Sequence, residues 1–386
     1  MHLKVLYLTI RYPSPELPVS GIFIREHARA AAAAGVDLAV VHLDRAPAAS
    51  GLVDAVRVEE EEIPTWRVRY RRFPRPISFL AFFLGALEAF RALRRNGFDP
   101  DVIHAHHFLA MLPALLLGAA YRKPVAYTDH WTIFLPENPD SLSPLMERAA
   151  KLALERADVV LPVSEAWKGA LEASGVRARF RIVPNVVDDE LFRPPASFEP
   201  NGARPRRLLT VSHLKRGAKG IDLLLDALAA LRAEGRAIEL DIVGDGEGRE
   251  RYLDQARRLG LVDTVRFHGN RPKAEVAEMM RSADLFVLAS RFENSPCVLI
   301  ESMASGLPVV ATRVGGVPEL VDVGSGVLAE PGDPASIARA IREALDRLEA
   351  FDRASMSRRT LERFGRERVG RELAEVYTEL AAARRA

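Results

Sequence analysis

The chain holds 386 residues, 48% hydrophobic and 27% charged, with 54 basic against 52 acidic side chains and a formal net charge of +2. That length suits two to three domains and buries about 75% of the extended chain's surface without covalent staples. Near-balanced charge speaks against a dedicated nucleic-acid binder. A single cysteine, Cys297, excludes an intrachain disulfide framework or a zinc site of several thiolates, and fits a reducing compartment.

The apolar run at 3–10 stops at Arg11 and Pro13, too soon for a secretory signal core, and reads as a first buried strand. A helical pattern at 21–34 and a strand at 36–43 follow. From Trp66 onward Arg67, Arg69, Arg71, Arg72 and Arg75 are interleaved with Tyr70 and Phe73, ahead of the apolar stretch ISFLAFFLGAL at 77–87. That stretch is well short of the roughly 20 residues that cross a bilayer, so no spanning helix is expected. Two readings of the region stand together: a strand feeding a buried helix with basic ends, or a peripheral contact with an anionic membrane surface. Strands at 101–107 and 124–130, a helix at 145–157 and strands at 158–164 and 180–185 complete the first half.

Residues 192–205, FRPPASFEPNGARP, carry four prolines and an Asn-Gly pair without apolar periodicity, the composition of a linker. Alternation resumes with strands at 207–213, 238–244, 264–269, 284–290 and 308–312. Asp333 and Pro334 form an N-cap and first-turn pair for a helix whose Ile337, Ile341, Leu345 and Leu348 recur at helical spacing. A last helix is expected at 369–383. Such alternation predicts an α/β fold with parallel sheets, divided into domains 1–195 and 196–360, with a C-terminal helix in 361–386 returning to the first domain.

Ligands of doubly wound sheets bind beyond the carboxyl ends of the strands, where the chemically informative residues of this chain cluster. IVGDGEGRE at 242–250 puts Gly244, Gly246 and Gly248 between a strand and a helix, where backbone N–H groups can approach an anion. Arg249 stands where a dinucleotide fingerprint needs its third glycine, and a plain tight turn is the competing reading. No G-x-x-x-x-G-K-[ST] sequence occurs, which sets aside a P-loop nucleotidase. VSHLKRGAKGIDLLLDAL at 211–228 delivers His213, Lys215, Arg216 and Lys219 to a strand end, where clustered cations suit a diphosphate. Lys219, directly before Gly220 and a helix, is the strongest of these.

In SRFENSPCVLIES at 290–302, Glu293 lies in the loop after a strand, and Glu301 sits one turn into a helix that starts near Cys297. A carboxylate at each end, with helix N–H groups between them, can hold a polyhydroxylated ligand and its phosphate. His104, His106 and His107 in DVIHAHHF raise a metal reading, because residues i and i+2 share a strand face. No carboxylate cluster completes such a site, and a polar wall or a packed strand end is preferred. Cys297 reads as a small apolar filler.

Taken in order over nearly the whole chain, these segments resemble the retaining glycosyltransferases of family 4, the group 1 glycosyltransferases with a GT-B fold. ENSPCVLIE at 293–301 looks like that family's E-x7-E motif, GLPVVATRVGGVPELV at 306–321 its next strand and glycine turn, and AKGIDLLLDAL at 218–228 its lysine-glycine motif. RIVPNVVDDELF at 181–192 resembles the end of its first domain, and GIFIREHARAAAAAG at 21–35 its first glycine loop and helix. The resemblance implies two facing Rossmann-like doubly wound domains with an interdomain cleft, the first binding an acceptor and the second a nucleotide-sugar donor. It implies that Glu301 accepts hydrogen bonds from ribose hydroxyls. Glu293 would contact the transferred sugar, helped by N–H groups of Asn294, Ser295, Cys297 and Val298. Lys219 would neutralise the diphosphate, Gly21 would let its loop approach donor and acceptor, and His130, in PVAYTDHW, would sit beside the reacting sugar. His213 stands where the family usually has arginine, so diphosphate binding would be shared with Lys215 or Arg216, and Gly244 joins the donor set. Pro296 lacks an N–H and removes one possible donor.

The expected activity is retaining transfer of a sugar from a UDP- or GDP-linked donor to a lipid-linked or cell-envelope glycan acceptor. The expected place is the cytoplasm or the cytoplasmic face of a membrane, with no metal or other cofactor and no nucleic-acid partner. Two rivals stay open: an epimerase of similar fold acting on a nucleotide sugar without acceptor, and a two-domain sugar-binding protein that catalyses nothing.

Overall fold

The computed structural model describes residues 3–14, 17, 19–46, 53–60, 63–71, 75–130, 134–135, 138, 142–197, 205–215 and 217–385. The chain forms two compact units, the first made of 1–134, 140–186 and 366–386, the second of 135–139 and 187–365.

The first unit holds a sheet of β1 (Lys4–Thr9), β2 (Asp37–Ala46), β3 (Val53–Glu60), β4 (Ile63–Arg71), β5 (Val102–His106), β6 (Val125–Asp129) and β7 (Val159–Pro162), in the order β3-β4-β2-β1-β5-β6-β7. Its helices include α1 (Ile22–Ala33), α2 (Arg75–Arg95), α3 (Phe108–Tyr121), α4 (Pro144–Leu154) and α5 (Glu165–Ala173). β5 and β7 are buried throughout and β1 nearly so, as continuous apolar strands covered on both faces must be. Ser143 and Ser164 start α4 and α5 by accepting hydrogen bonds from the N–H groups of Met146 and Trp167, each satisfying one of the donors a helix start leaves over.

One expectation fails here for a local reason, and the strand reading of the basic-aromatic stretch holds with an unanticipated neighbour, β3. The run at 180–185 is no strand; Phe180 makes an isolated bridge to Val160, and Pro184 has no N–H to continue a ladder. The basic-aromatic stretch is β4, which β3 joins in antiparallel fashion; the alternating VDAVRVEE of β3 lacks the buried-run signature of its neighbours. Trp66 is buried under the guanidinium of Arg57, 5.3 Å from the ring centre, and Tyr70 packs on Phe82 at 5.6 Å. Arg72 and Phe73 lie outside the described residues. The exposed apolar side chains lie instead on α2, at Ile77, Phe79 and Leu80. Among the described residues no helix is long and apolar enough to cross a membrane.

The second unit holds β8 (Arg206–Val211), β9 (Ile238–Val243), β10 (Val265–Gly269), β11 (Leu285–Leu288), β12 (Val309–Thr312) and β13 (Gly326–Ala329), paired in parallel in the order β10-β9-β8-β11-β12-β13. Its helices include α6 (Ile221–Ala233), α7 (Arg249–Arg258), α8 (Lys273–Ser282), α9 (Cys297–Ala304), α10 (Pro334–Asp346) and α11 (Arg353–Phe364). One face packs Leu224, Leu228, Ile337 and Ile341 of α6 and α10 around Leu240 and Val287. The other packs Met280, Leu299, Met303 and Met356 of α8, α9 and α11 around Phe286 and Val309. β13 and α11 were not anticipated: four residues of GVLA and a helix rich in arginine give weak periodic signals.

The final helix, α12 (Arg366–Arg385), belongs to the first unit. Its Val369, Leu373, Val376 and Tyr377 join a core shared with Ile24, Ala28 and Ala31 of α1, and the hydroxyls of Tyr7 and Tyr377 share a hydrogen bond of 2.7 Å. The chain thus leaves the first unit after Val186, ahead of the proline-rich stretch, and re-enters at Arg366. The N–H of Val187 donates to the carbonyl of Phe364 at 2.9 Å, tying the two crossings together.

Gly370 sets the distance between α12 and α1, because an added Cβ would lie 2.2 Å from the carbonyl oxygen of Ala30. Gly370→Val is therefore expected to cost about 1–3 kcal/mol in urea unfolding. Gly169→Ala in α5, where nothing lies within 4 Å, should instead stabilise by up to about 1 kcal/mol.

Candidate functional site

At the carboxyl edge of the second unit's sheet, the loops after β8 and β11 are fixed to each other. Gly220, at φ 60°, opens α6, and a Cβ there would lie 1.8 Å from the carbonyl oxygen of Ala289. Only glycine allows that approach. Arg291 reinforces it: its N–H donates to Ala218 O at 2.9 Å, and its guanidinium donates to both carboxylate oxygens of Asp222 at 3.0 and 2.8 Å. Lys219 Nζ is thereby brought to 2.6 Å from Glu293 Oε1, which also accepts from Ser290 Oγ at 2.7 Å. Glu293 is 7% exposed, a depth at which a carboxylate needs such charge-assisted partners. An ammonium has three donors, so the bond to Glu293 leaves Lys219 two for phosphate oxygens.

On the other side, Gly315 adopts φ 45°, and a Cβ there would lie 1.8 Å from Glu293 O, while Gly316 N–H donates to Asn294 O at 2.9 Å. This turn holds the buried backbone of Glu293, Asn294 and Ser295 in place. Pro296 is the N-cap of α9, so Cys297 and Val298 form its first turn. N–H groups of a first turn have no acceptor within their own helix, and the helix end favours negative charge. Glu301, also 7% exposed, lies 3.3 Å from Lys273 Nζ at the start of α8. Neither Lys273 nor Ser290 was anticipated. Lys273 opens an ordinary charged helix, and only the fold brings it to Glu301.

The N–H groups of the glycine triplet are engaged within the protein. Gly244 N–H donates to Gly269 O at 2.8 Å, Gly246 N–H to Asp245 Oδ1 at 2.8 Å and Gly248 N–H to Leu214 O at 2.8 Å. A Cβ on Gly244 would lie 1.9 Å from Ser212 O, so the expected donor role of Gly244 gives way to close packing of two loops. His213 is exposed on the loop after β8, and Arg216 lies outside the described residues.

In the first unit, Gly21 is the N-cap of α1 at φ 67°, where a Cβ would lie 2.4 Å from Arg11 O. His130 follows β6, its ring centre 3.9 Å from that of Phe23 and 5.6 Å from that of His27. The three histidines of DVIHAHHF part company. His104 is hydrogen-bonded through Nδ1 to Tyr377 Oη at 2.7 Å and through Nε2 to Thr128 Oγ1 at 2.9 Å. His107, at φ 80°, caps α3 by accepting from Leu109 N–H at 3.2 Å. His106 instead joins His27 and His130. His27 had escaped notice because it reads as one polar residue in an alanine-rich helix, yet it points into the core and its Nε2 is 2.8 Å from Pro184 O.

Burial pushes the His27 imidazole down to about 4 against the opposing bond to Pro184. His104, His106 and His130 lie well below the usual histidine value, through burial first and neighbouring imidazoles second. His107 is pushed down to about 4 by burial and by Arg11. The same unit contains a cavity of about 400 Å³ at its strand ends, lined by Ile10, Leu43, Asp44, Tyr70, Phe79 and Phe82 among others.

Residues 205–347 match the family described as Glycosyl transferases group 1, and residues 20–191 match Glycosyltransferase Family 4. A glycogen synthase of Mycobacterium tuberculosis is 29% identical over 405 residues, covering 99% of this chain and 95% of that one. A D-inositol 3-phosphate glycosyltransferase of Corynebacterium urealyticum is 30% identical over 325 residues, covering 78% of this chain and 76% of that one. Among solved structures, Anabaena HepE in complex with UDP-glucose superposes with a TM-score of 0.75 at 24% identity, over 98% of this chain and 100% of that one. A likeness at that identity speaks for the fold alone.

The neutral buried imidazoles have a consequence for stability. Each takes up a proton on unfolding below its usual value of 6.5, so between there and about 4 the unfolded chain binds more protons than the folded one. Stability is therefore complete above that window and falls as pH drops through it, by up to about 1.4 kcal/mol per pH unit for each ring. The melting temperature is expected to drop between about pH 7 and pH 5. His107→Asn, which tolerates positive φ and can still cap α3, should flatten that slope by about one ring's share.

Proposed function

We propose, on the premise that this chain belongs to the group 1 glycosyltransferases of family 4, that it transfers a sugar with retention of configuration from a UDP- or GDP-linked donor. The chain is a glycosyltransferase, and its two Rossmann-like units are those of the GT-B class. The observation that carries the donor reading is the strand-edge arrangement of Lys219, Glu293, the first turn of α9 and Glu301. A nucleoside diphosphate gains negative charge as its bond to the sugar breaks. A fixed ammonium and an oriented helix end stabilise that charge more than they stabilise the ground state. In this reading Lys219 binds the diphosphate, assisted by His213 and Lys215. Glu301, held by Lys273, accepts from the ribose hydroxyls. Glu293 accepts from the hydroxyls of the transferred sugar, near the N–H groups of Asn294, Ser295, Cys297 and Val298.

His130 supplies a neutral imidazole to a sugar hydroxyl, and Gly21 lets the loop before α1 lie close to its ligand. The acceptor oxygen forms its bond to the anomeric carbon on the face the diphosphate leaves, and its proton passes to the departing phosphate oxygen. No metal ion takes part, because Lys219 and α9 supply the positive potential. The UDP-glucose complex of HepE supports a nucleotide-sugar donor. For the acceptor, the partly apolar cavity of the first unit, close to Ile77, Phe79 and Leu80 on α2, favours a molecule with a lipid portion presented at an anionic membrane surface.

Incubation with UDP- and GDP-sugars and lipid-linked acceptors is expected to release the nucleoside diphosphate only when acceptor is present. NMR of the product should show the donor's anomeric configuration, and a chelator should not lower the rate. An isomerised donor would favour the epimerase, and binding without turnover the sugar-binding protein. Glu301→Gln should weaken nucleotide binding at least about ten-fold, some 1.4 kcal/mol, with unaltered circular dichroism; an unchanged affinity would contradict the site.

A further inference from the structure

We infer that His27, His106 and His130 form a binding site for one divalent transition-metal ion of the zinc type. The three rings come from α1, from the end of β5 and from the residue after β6, and their ligating nitrogens all lie within 4.8 Å of one another. His27 and His106 are both 0% exposed. Among the described residues Nδ1 of His27 and both ring nitrogens of His106 and His130 are buried without a well-formed hydrogen bond, the Asn185 side chain beside His130 being the one hydrogen-bonding neighbour that acts on its ring. A buried polar atom left unsatisfied costs about 1–3 kcal/mol, so a cluster of them points to an occupant.

Size and chemistry narrow that occupant. His27 and His106 are wholly buried, and ligating nitrogens that converge within 4.8 Å of one another fit a single small ion better than a sugar hydroxyl. Burial keeps all three rings neutral, the form in which imidazole is a ligand. His27 Nε2 is engaged by Pro184 O at 2.8 Å, which fixes the proton there and leaves Nδ1 with its lone pair. Such an outer hydrogen bond is what orients and strengthens a metal-binding histidine. Behind the cluster, His104 is held at both nitrogens by Tyr377 and Thr128 and packs against His106, ring centres 4.1 Å apart and tilted by 37°, so His106 has a fixed wall to lie against. Three imidazoles suit zinc, copper or nickel in preference to magnesium or calcium, and leave a fourth position open.

Zinc–nitrogen bonds of about 2.0–2.1 Å ask for nitrogens about 3.4 Å apart. The rings must therefore draw together, and His130, the one of the three with some exposure, is placed to swing. An ion there occupies the ring that the transfer reaction is proposed to use, so zinc is expected to slow transfer. That consequence rests on the role given to His130 above; the site itself does not.

The test is titration of the full chain, stripped with chelator, with Zn(II) against a chromophoric chelator and separately with Co(II) in the visible. The expected result is one equivalent per chain and the d–d absorption of a four-coordinate cobalt centre. Affinity should fall at least ten-fold in His130→Ala, the least buried of the three positions, and in His27→Gln, with no change in Glu301→Gln. Should His27→Gln fail to fold, the cobalt spectrum of the wild type and the His130→Ala titration decide. Absence of stoichiometric binding, meaning that water alone fills the space, would overturn the proposal. So would equal affinity in wild type and His130→Ala. UDP affinity measured on the same samples keeps failure of the metal site distinct from failure of the transferase reading.

Discussion

A missing side chain at position 220 governs the chemistry of the second unit. Because α6 begins with its glycine against the carbonyl of Ala289, the residue before it, Lys219, comes beside the loop after β11, where its Nζ lies 2.6 Å from Glu293. The opposite wall is built the same way, with Gly315 against the carbonyl of Glu293. Two glycines at positive φ thus press three loops together at the strand ends. A buried carboxylate, an ammonium and the start of α9 become one rigid charge arrangement rather than separate surface groups. Preorganisation of this kind is what electrostatic stabilisation of a leaving group requires, since the charges are already in position when the bond breaks.

Much of this was readable before any coordinates. Parallel strands buried on both faces announce themselves as continuous apolar runs, and β1, β5, β7, β9 and β11 fall within the stretches expected from them. The start of α9 at Cys297, with Glu301 one turn inside, lies where the sequence placed it. What stayed hidden was hidden for physical reasons. Lys273 matters only because the sheet carries the start of α8 beside Glu301, a relation with no local trace. His27 is distinguished from a surface histidine only by where the fold turns it, toward Pro184, His106 and His130. The glycine triplet at 244–248 misled because close packing of loops and binding of an anion both demand glycine, and only the destination of each N–H separates them. The strand expected at 180–185 failed on Pro184, whose missing N–H outweighs an apolar neighbourhood.

The first unit shows a different economy. Its centre holds histidines, tyrosines and a threonine, and α12 from the far end of the chain contributes Tyr377 to that network. Polar groups at such depth are stabilising only when fully partnered. His104 meets that condition at both nitrogens, while among the described residues His27, His106 and His130 keep buried ring nitrogens without a well-formed hydrogen bond. The second unit's site is thus built from charges paired at a sheet edge, and the first unit's from neutral rings enclosed beneath one, a division suited to holding a charged donor and an uncharged sugar by different means.

The central claim is that Lys219 reads a diphosphate. Calorimetric titration of wild type and Lys219→Ala with UDP and UMP, or with GDP and GMP where the guanosine series binds, isolates that contact, because each pair of nucleotides differs only by the second phosphate. The account predicts that wild type prefers the diphosphate at least ten-fold, about 1.4 kcal/mol, and that most of this preference disappears in Lys219→Ala while monophosphate affinity changes little. A preference of the same size in both proteins would contradict it.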